Sequence, residues 1–269
     1  MHDSDSAPFP QGLKPAGSPS PALLPSPRAC PAGQGTRWLG EGFRLFRQDP
    51  WVWILNIIIF LVIMILLGTV PILSLASSLV GPVFMGGLIL GCRDQDRGRP
   101  LEVAHVFAGF REQTGRLVAV GAFYLLATIL IFAVTMALMM TFGIGNAMLS
   151  AMQGLDSGVV DPGAVMPDAV GMLLMLLVVA LVAIPVAMLF WFAPALVVLH
   201  PTLGVTEALG LSFRGCLRNV LPFLIYGLVL LVLAILASIP FMLGWLVLWP
   251  VLIGSIYAGY KDIFLAGEG

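Results

Sequence analysis

The sequence predicts an all-α polytopic membrane protein with six transmembrane helices, and three observations lead to that prediction. Of its 269 residues, 59% are hydrophobic and only 10% are charged, and the mean hydropathy is +1.01. A soluble domain carries about 25% charged residues. The apolar residues also gather in runs long enough to cross a bilayer. Finally, the Lys and Arg residues are absent from every second connection between these runs.

Each apolar run is close to or above the roughly 20 residues that a helix needs to cross a bilayer. The fourth run is the longest, and we expect either that Pro185 kinks it or that one of its ends protrudes from the bilayer. Short turns of Gly, Thr, Ser and Pro separate the first run from the second and the fifth from the sixth. The predicted spans are residues 51–67, 72–92, 117–142, 170–199, 220–237 and 241–260.

The chain divides into a tail and a membrane domain. Residues 1–36 are rich in Pro, Ala, Gly and Ser, a composition that predicts a disordered tail because it buries little apolar surface. No apolar stretch follows Lys14, so a signal peptide is not expected. The membrane domain is predicted to cover residues 37–265.

Two charged segments between the apolar runs have helical periodicity. In residues 37–49, Arg37, Glu41 and Arg44 fall on one side, and residues 200–218 show a similar pattern. Both segments are predicted to be amphipathic helices that lie on the membrane surface.

The distribution of basic residues predicts the orientation. All 13 Lys and Arg residues lie before the first span, in 93–116, in 214–218 or at Lys261. With six spans these segments share one side, which the positive-inside rule places in the cytoplasm together with both termini. The connection 143–168, which has three aspartates and no Lys or Arg, is predicted to face outward.

Matching residues predict an internal repeat. The end of the second span and the end of the sixth span align without gaps. A Phe-Arg pair also precedes three of the spans, at Phe43, Phe110 and Phe213. We therefore predict three parallel copies of one unit, made of a surface helix, a span, an outer turn and a span. The aligned pairs are Pro82 with Pro250, Val83 with Val251, Gly86 with Gly254, Gly91 with Gly259, Arg93 with Lys261, and Asp94 with Asp262.

The repeat implies ion pairs between its copies. Asp94 and Asp262 are predicted to end their helices on the cytoplasmic side, where the helix dipole disfavours a carboxylate. Each should have a cationic partner, or the same cations should bind anionic lipid headgroups at the interface. The candidate cations are Arg44, Arg111, Arg116, Arg214 and Arg218.

The sequence contains no recognisable catalytic or metal-binding signature. No Asp, Glu, Lys, Arg or His lies inside a predicted span, although transporters usually carry such groups there. Glu102 and His105 have a spacing seen among metal ligands, yet solvated positions on a surface helix have it more often. We therefore predict no catalytic residue, metal or cofactor. A net charge of −1 gives no reason to expect nucleic-acid binding.

Residues 191–228 and 257–264 resemble a family of uncharacterised proteobacterial inner-membrane proteins with six predicted spans. The chain is more distantly similar to the membrane domain attached to some glycerophosphodiester phosphodiesterases. The resemblance covers about residues 37–265 and implies no catalytic role. The residues that carry it are Pro194, Glu207-Ala208, Ser212-Phe213, Arg218-Asn219, Pro222-Phe223 and Tyr260-Lys261-Asp262.

The predicted function is a non-enzymatic structural or accessory role in the bacterial inner membrane, with contacts to anionic lipids. No protein partner is indicated. The alternative is a transporter or flippase for a neutral or lipid-like substrate. A polar cavity lined by Asn56, Tyr124, Tyr226 or the serines of the spans would favour transport, whereas a dry centre packed on glycines would favour the accessory role.

Overall fold

The computed structural model describes residues 22–141, 152 and 169–266, and within them the chain is almost entirely helical. The outward connection predicted at 143–168 lies outside the described residues, apart from Met152. The helices are α1 (Gln34–Gln48), α2 (Pro50–Thr69), α3 (Pro71–Asp96), a 3-10 helix (Val103–Phe110), α4 (Thr114–Thr141), α5 (Ala169–Phe190), α6 (Ala193–Leu199), α7 (Val205–Arg218), α8 (Val220–Ser238) and α9 (Trp245–Phe264).

Five stretches of helix are long and apolar enough to cross a membrane, which confirms the helical membrane class. Most of their large side chains point outward, as in α5, where Leu181 is 74% exposed. Water would disfavour such a surface, but lipid would not. The five stretches are Pro50–Thr69, Leu73–Asp96, Thr114–Met140, Val170–Leu199 and Val220–Ser238.

The sixth predicted span, 241–260, corresponds to α9, which is not one of these five stretches. The polar residues near its C-terminus, among them Lys261 and Asp262, lower its hydropathy. The helix begins at Trp245 and not at residue 241, because Phe241 and Met242 adopt positive φ angles of 49° and 64°. Twelve residues of α9 are buried, so this helix lies inside the bundle.

The long helix predicted at 170–199 is broken at Trp191 and Phe192, and Pro185 lies within intact α5. The hydroxyl of Ser212 explains the break. It donates to the carbonyl oxygen of Met188 (2.7 Å) and accepts from the amide of Phe192 (3.0 Å). These are the two backbone groups that a continuous helix would join. The serine of α7 therefore takes the place of one helical hydrogen bond.

The centre of the fold is the meeting point of α3, α6 and α9. Leu88, Leu196 and Ile253, one from each helix, are at most 1% exposed. Three further helices, α1, the 3-10 helix and α7, pack over the end of the bundle at which α3 and α9 terminate, and we refer to these three as the short helices. We call this end of the bundle the short-helix end. The opposite halves of the long helices are more exposed.

Part of the predicted tail 1–36 makes defined contacts in the structure, from residue 22 onward. Leu23 forms an isolated antiparallel bridge with Leu265, and the amide of Arg28 donates to the carbonyl of Ile263 (2.7 Å). Helix α1 then begins at Gln34. The composition of this segment could not predict its contacts with residues 263–265, because backbone hydrogen bonds of this kind require no particular side chain.

Candidate functional site

The candidate site is the set of contacts that join the short helices to the long ones. It begins with two glycines that allow a very close approach. A methyl group added to Gly42 of α1 would overlap the carbonyl oxygen of Val251 and lie 2.8 Å from the amide nitrogen of Ser255. A methyl group on Gly109 of the 3-10 helix would overlap the carbonyl of Val83 in the same way. Each glycine therefore seats its short helix directly on the backbone of a long helix.

A third short helix makes the corresponding contact through a serine. Ser212 of α7 lies against the carbonyl of Met188 and the amide of Phe192, which are four residues apart. The two glycines face carbonyl and amide groups with the same four-residue spacing. We call Gly42, Gly109 and Ser212 the notch residues. Each is followed directly by one of the three Phe-Arg pairs.

A second set of contacts links each short-helix junction to the segment that enters another short helix. Asp49 accepts from the amide of Leu101 (3.1 Å). Arg116 donates to the carbonyl of Pro201 (2.7 Å). Asn219 accepts from the amide of Cys30 (2.7 Å) and donates to the carbonyl of Arg28 (2.9 Å). We call Asp49, Arg116 and Asn219 the clasp residues.

The clasp residues connect the short-helix end in a closed circuit. The first clasp reaches the segment before the 3-10 helix, the second reaches the segment before α7, and the third reaches back to the segment before α1. Each clasp residue lies six positions after the phenylalanine of its Phe-Arg pair. This regular spacing gives the three contacts equivalent places in the chain.

The two aspartates that the repeat singled out have different partners. Asp94 receives Arg99 (2.7 Å) and Arg93 (3.2 Å), with His105 at 3.4 Å. Its cations are therefore its own neighbours along the chain, and none of the five arginines named from the sequence. Arg99 comes close to Asp94 in space because the segment after α3 turns back at Gly98, whose φ is 75°.

Asp262 is held by neutral donors. Its carboxylate accepts hydrogen bonds from Gln34 (2.6 Å) and from the indole of Trp38 (2.8 Å). Within residues 22–141 and 169–266, no Lys or Arg forms an ion pair with it. None of the five candidate arginines forms an ion pair with Asp262 over these ranges. Two good donors satisfy this partly buried carboxylate without a counter-charge.

The carboxylate that joins distant segments is Asp96, which the sequence did not single out. It lies 2.6 Å from Lys261 and 3.4 Å from Arg44, and it accepts from the hydroxyl of Tyr257 (3.3 Å). These contacts connect α1, α3 and α9. Its neighbour Gln95 is 3% exposed and bonds to Trp53 (3.0 Å) and to the clasp residue Asp49 (2.9 Å).

The five candidate arginines do not converge on one site. Arg44 pairs with Asp96 and with Glu41 (2.8 Å), so it forms part of the internal network. Arg116 serves as a clasp, and Arg111 is exposed. Only Arg214 and Arg218 lie together, on the outer side of α7 beside the segment at Ser26.

The polar side chains of the spans do not line a shared cavity. Asn56 is fully buried and donates to the carbonyl of Glu102 (3.2 Å). The hydroxyl of Tyr226 bonds to Ser255 (2.8 Å), while Tyr124 is 43% exposed on the outer surface. Two open surface grooves of about 280–290 Å³ lie among the described residues, and Asn56, Tyr124 and Tyr226 line neither of them.

The cysteines and His200 lie in separate parts of the structure. Cys92 and Cys216 are both buried, and burial raises the pKa of the Cys216 thiol to about 12. His200 contacts the hydroxyl of Tyr260, and burial lowers the pKa of its imidazole. Among the residues that the structure describes, no three His, Cys, Asp or Glu side chains gather as metal ligands. Glu102 and His105 instead cap the 3-10 helix.

The fold and these contacts define a class: a helical membrane protein whose short helices are held to its long ones at one end. No family model matches the chain, and no solved structure matches it. It is 32% identical over 209 residues to a probable inner membrane protein of Burkholderia thailandensis, a match that covers 76% of this chain and 74% of the relative. The chain belongs to the same family as that protein.

Proposed function

We propose that the protein is a non-enzymatic structural or accessory component of the bacterial inner membrane. One observation carries the proposal. Buried polar groups of its spans hold separate segments of the protein together: the amide of Asn56 donates to the carbonyl of Glu102, and the hydroxyl of Tyr226 bonds to Ser255 of another helix, while the side-chain oxygen of Asn56 has no partner among the described residues. A transport path needs polar groups that face a common space. The name of the relative supports the inner-membrane location.

Six spans in three copies are part of this proposal. The order of a short helix followed by two long apolar segments occurs three times along the chain. The notch and clasp residues recur at matching places in that order. In addition, the bridge between Leu23 and Leu265 puts both described ends on one side. This contact supports an even number of crossings, with α9 as the sixth span beside the five apolar stretches.

The proposed orientation places the short-helix end, and both termini, in the cytoplasm. Its support is the sequence, because every Lys and Arg of residues 22–141 and 169–266 lies at or near the short-helix end. In this orientation α1 and α7 are amphipathic helices at the inner interface, and the outward arginines of α7 face anionic lipid headgroups. The more distant similarity to the membrane domain of glycerophosphodiester phosphodiesterases is also part of the proposal, and its support is the set of residues named from the sequence, such as Pro194 and Tyr260-Lys261-Asp262.

A lipid-scrambling assay separates this function from the alternative of a phospholipid flippase. The protein is reconstituted into liposomes that contain a fluorescent phospholipid, and dithionite is added outside. We expect about half of the fluorescence to be quenched, as in protein-free liposomes, because only the outer leaflet is accessible. Quenching well beyond that level, dependent on the amount of protein, would sink the accessory role and support a flippase.

A further inference from the structure

We propose that a groove between α7 and the N-terminal segment binds one anionic phospholipid. The inference rests on the proposed membrane placement and specifies which lipid the protein holds, and where. The groove has a volume of about 290 Å³ and is open to the outside. It is lined by Ser26, Pro27, Arg214, Leu217 and Arg218.

The charge of the groove selects an anion. Two arginines line it and no acidic residue does. Arg214 uses its Nε to donate to the carbonyl of Gly210 (3.2 Å), and Arg218 has no ion pair within the described ranges. Guanidinium groups with free N–H donors match the oxygens of a phosphate.

An apolar strip next to the groove selects a lipid over a free anion. It starts at the groove wall and runs along α8, a helix of 19 residues and therefore about 28 Å. Leu217 lies near the end of α7, and the members from Leu221 onward follow one another at intervals of three or four residues, so these share one face of α8. All are more than half exposed: Leu217, Leu221, Leu224, Leu228, Leu231 and Ile235.

The two features together fit one phospholipid molecule. Its phosphate lies between Arg214 and Arg218 with the hydroxyl of Ser26 as a further donor, and its acyl chains lie along the strip. A second copy of the protein fits less well, because a symmetric contact on this face would bring four arginines together.

The test measures lipid binding by native mass spectrometry of the detergent-solubilised protein. Phosphatidylglycerol and phosphatidylcholine are added together at equal concentration. We expect one tightly held phosphatidylglycerol per chain. In the variant R214Q/R218Q its affinity should fall about thirtyfold, because each arginine contributes about a fivefold gain towards an anionic headgroup.

The matched control is R37Q/R111Q, which removes the same charge. Both of its arginines are exposed and have no ion pair within the described ranges. Its affinity for phosphatidylglycerol should stay within about twofold of the wild type. Circular dichroism checks that both variants are folded, as expected for changes of exposed side chains.

Several results would overturn the inference. Equal binding of the two lipids would do so, and so would an equal loss of affinity in both variants. Displacement of the lipid by millimolar inorganic phosphate would indicate an anion site only. A wild-type dimer whose interface depends on Leu224 and Leu228 would indicate a second copy on this face. None of these results changes the outcome of the scrambling assay, so the proposed function is tested separately.

Discussion

At the residue scale, the notch residues decide how closely the short helices approach the long ones. The absence of a side chain at Gly42 and Gly109 lets a short helix touch the backbone of α9 or α3. Ser212 has a side chain, and the helix beneath it is open at Phe192. The hydroxyl oxygen of Ser212, at the position that glycine occupies in the other two short helices, thus distinguishes the broken long helix from the intact ones.

Gly109→Ala should destabilise the protein. The added methyl group would overlap the carbonyl of Val83, and such overpacking costs about 1–3 kcal/mol. Gly115→Ala is the matched control, because nothing lies within 4 Å of a methyl group there. We expect that change to be neutral or to stabilise α4 by up to about 1 kcal/mol. Thermal unfolding in one detergent compares the two, and an equal Tm for both would contradict the close contact.

His200 should make stability dependent on pH. Burial lowers the pKa of its imidazole in the folded protein, so between pH values near 6.5 and the lower folded pKa the unfolded chain binds more protons. Stability should therefore fall as the pH drops through this window and be unaffected above it. His200→Gln removes the titration. The fall in Tm from about pH 7.5 to about pH 5 should be smaller in this variant; an unchanged fall would show that other groups cause it.

At the scale of the elements, the clasp residues fix where each short helix begins. Their side chains satisfy backbone groups of segments that are distant in sequence, as Asn219 does for Cys30 and Arg28. An unpaired buried backbone group costs about 1–3 kcal/mol, so each clasp contributes to the order of the segment it holds. Residues 22–33 depend on this contact and on the bridge to Leu265.

Asn219→Ala should loosen the N-terminal segment and expose Cys30. In the wild type this thiol is half-buried, and burial together with Asp262 raises its pKa against the opposing effect of Arg28. We expect its alkylation by iodoacetamide to become about tenfold faster in the variant. Mass spectrometry of the peptides measures the rate.

The control for this experiment is Arg218→Gln, a change of the exposed neighbour of Asn219. It should leave the rate at Cys30 unchanged. The buried thiols of Cys92 and Cys216 report on global unfolding and should stay unreactive. Equal acceleration at all three cysteines would mean that the whole fold has opened, and the local role of Asn219 would be refuted.

The sequence predicted the helical elements well because apolar runs and helical periodicity are local signals. It predicted a kink of the fourth run at Pro185 or a protruding end, whereas the helix is broken at Trp191 and Phe192, where Ser212 of another helix binds the backbone. It also missed Asp96, whose partner Lys261 is far along the chain. Contacts of that kind depend on the packing of whole helices, and a single sequence does not reveal them. The clasp residues were also missed as a set, although each lies six positions after the phenylalanine of a Phe-Arg pair and this spacing can be read from the sequence.

At the scale of the whole molecule, the proposed account is a bundle of three similar hairpins closed by contacts at one end. Each short helix packs over long helices that precede its own, and α1 closes the circuit by packing on α8 and α9. This closure brings the described ends together at Leu23 and Leu265. The repeat in the sequence predicted equivalent copies, but the order in which they contact one another required the three-dimensional arrangement.

The central claim is that α9 crosses the membrane, which makes six spans with the short-helix end in the cytoplasm. The direct measurement is labelling of single cysteines by a membrane-impermeant maleimide, in a background without the three native cysteines. The sites are Thr202→Cys, Phe241→Cys and Ala266→Cys, all at exposed positions. We predict that Phe241→Cys reacts in right-side-out vesicles, whereas Thr202→Cys and Ala266→Cys react only in inverted ones. Labelling of Phe241→Cys and Ala266→Cys from the same side would contradict the account.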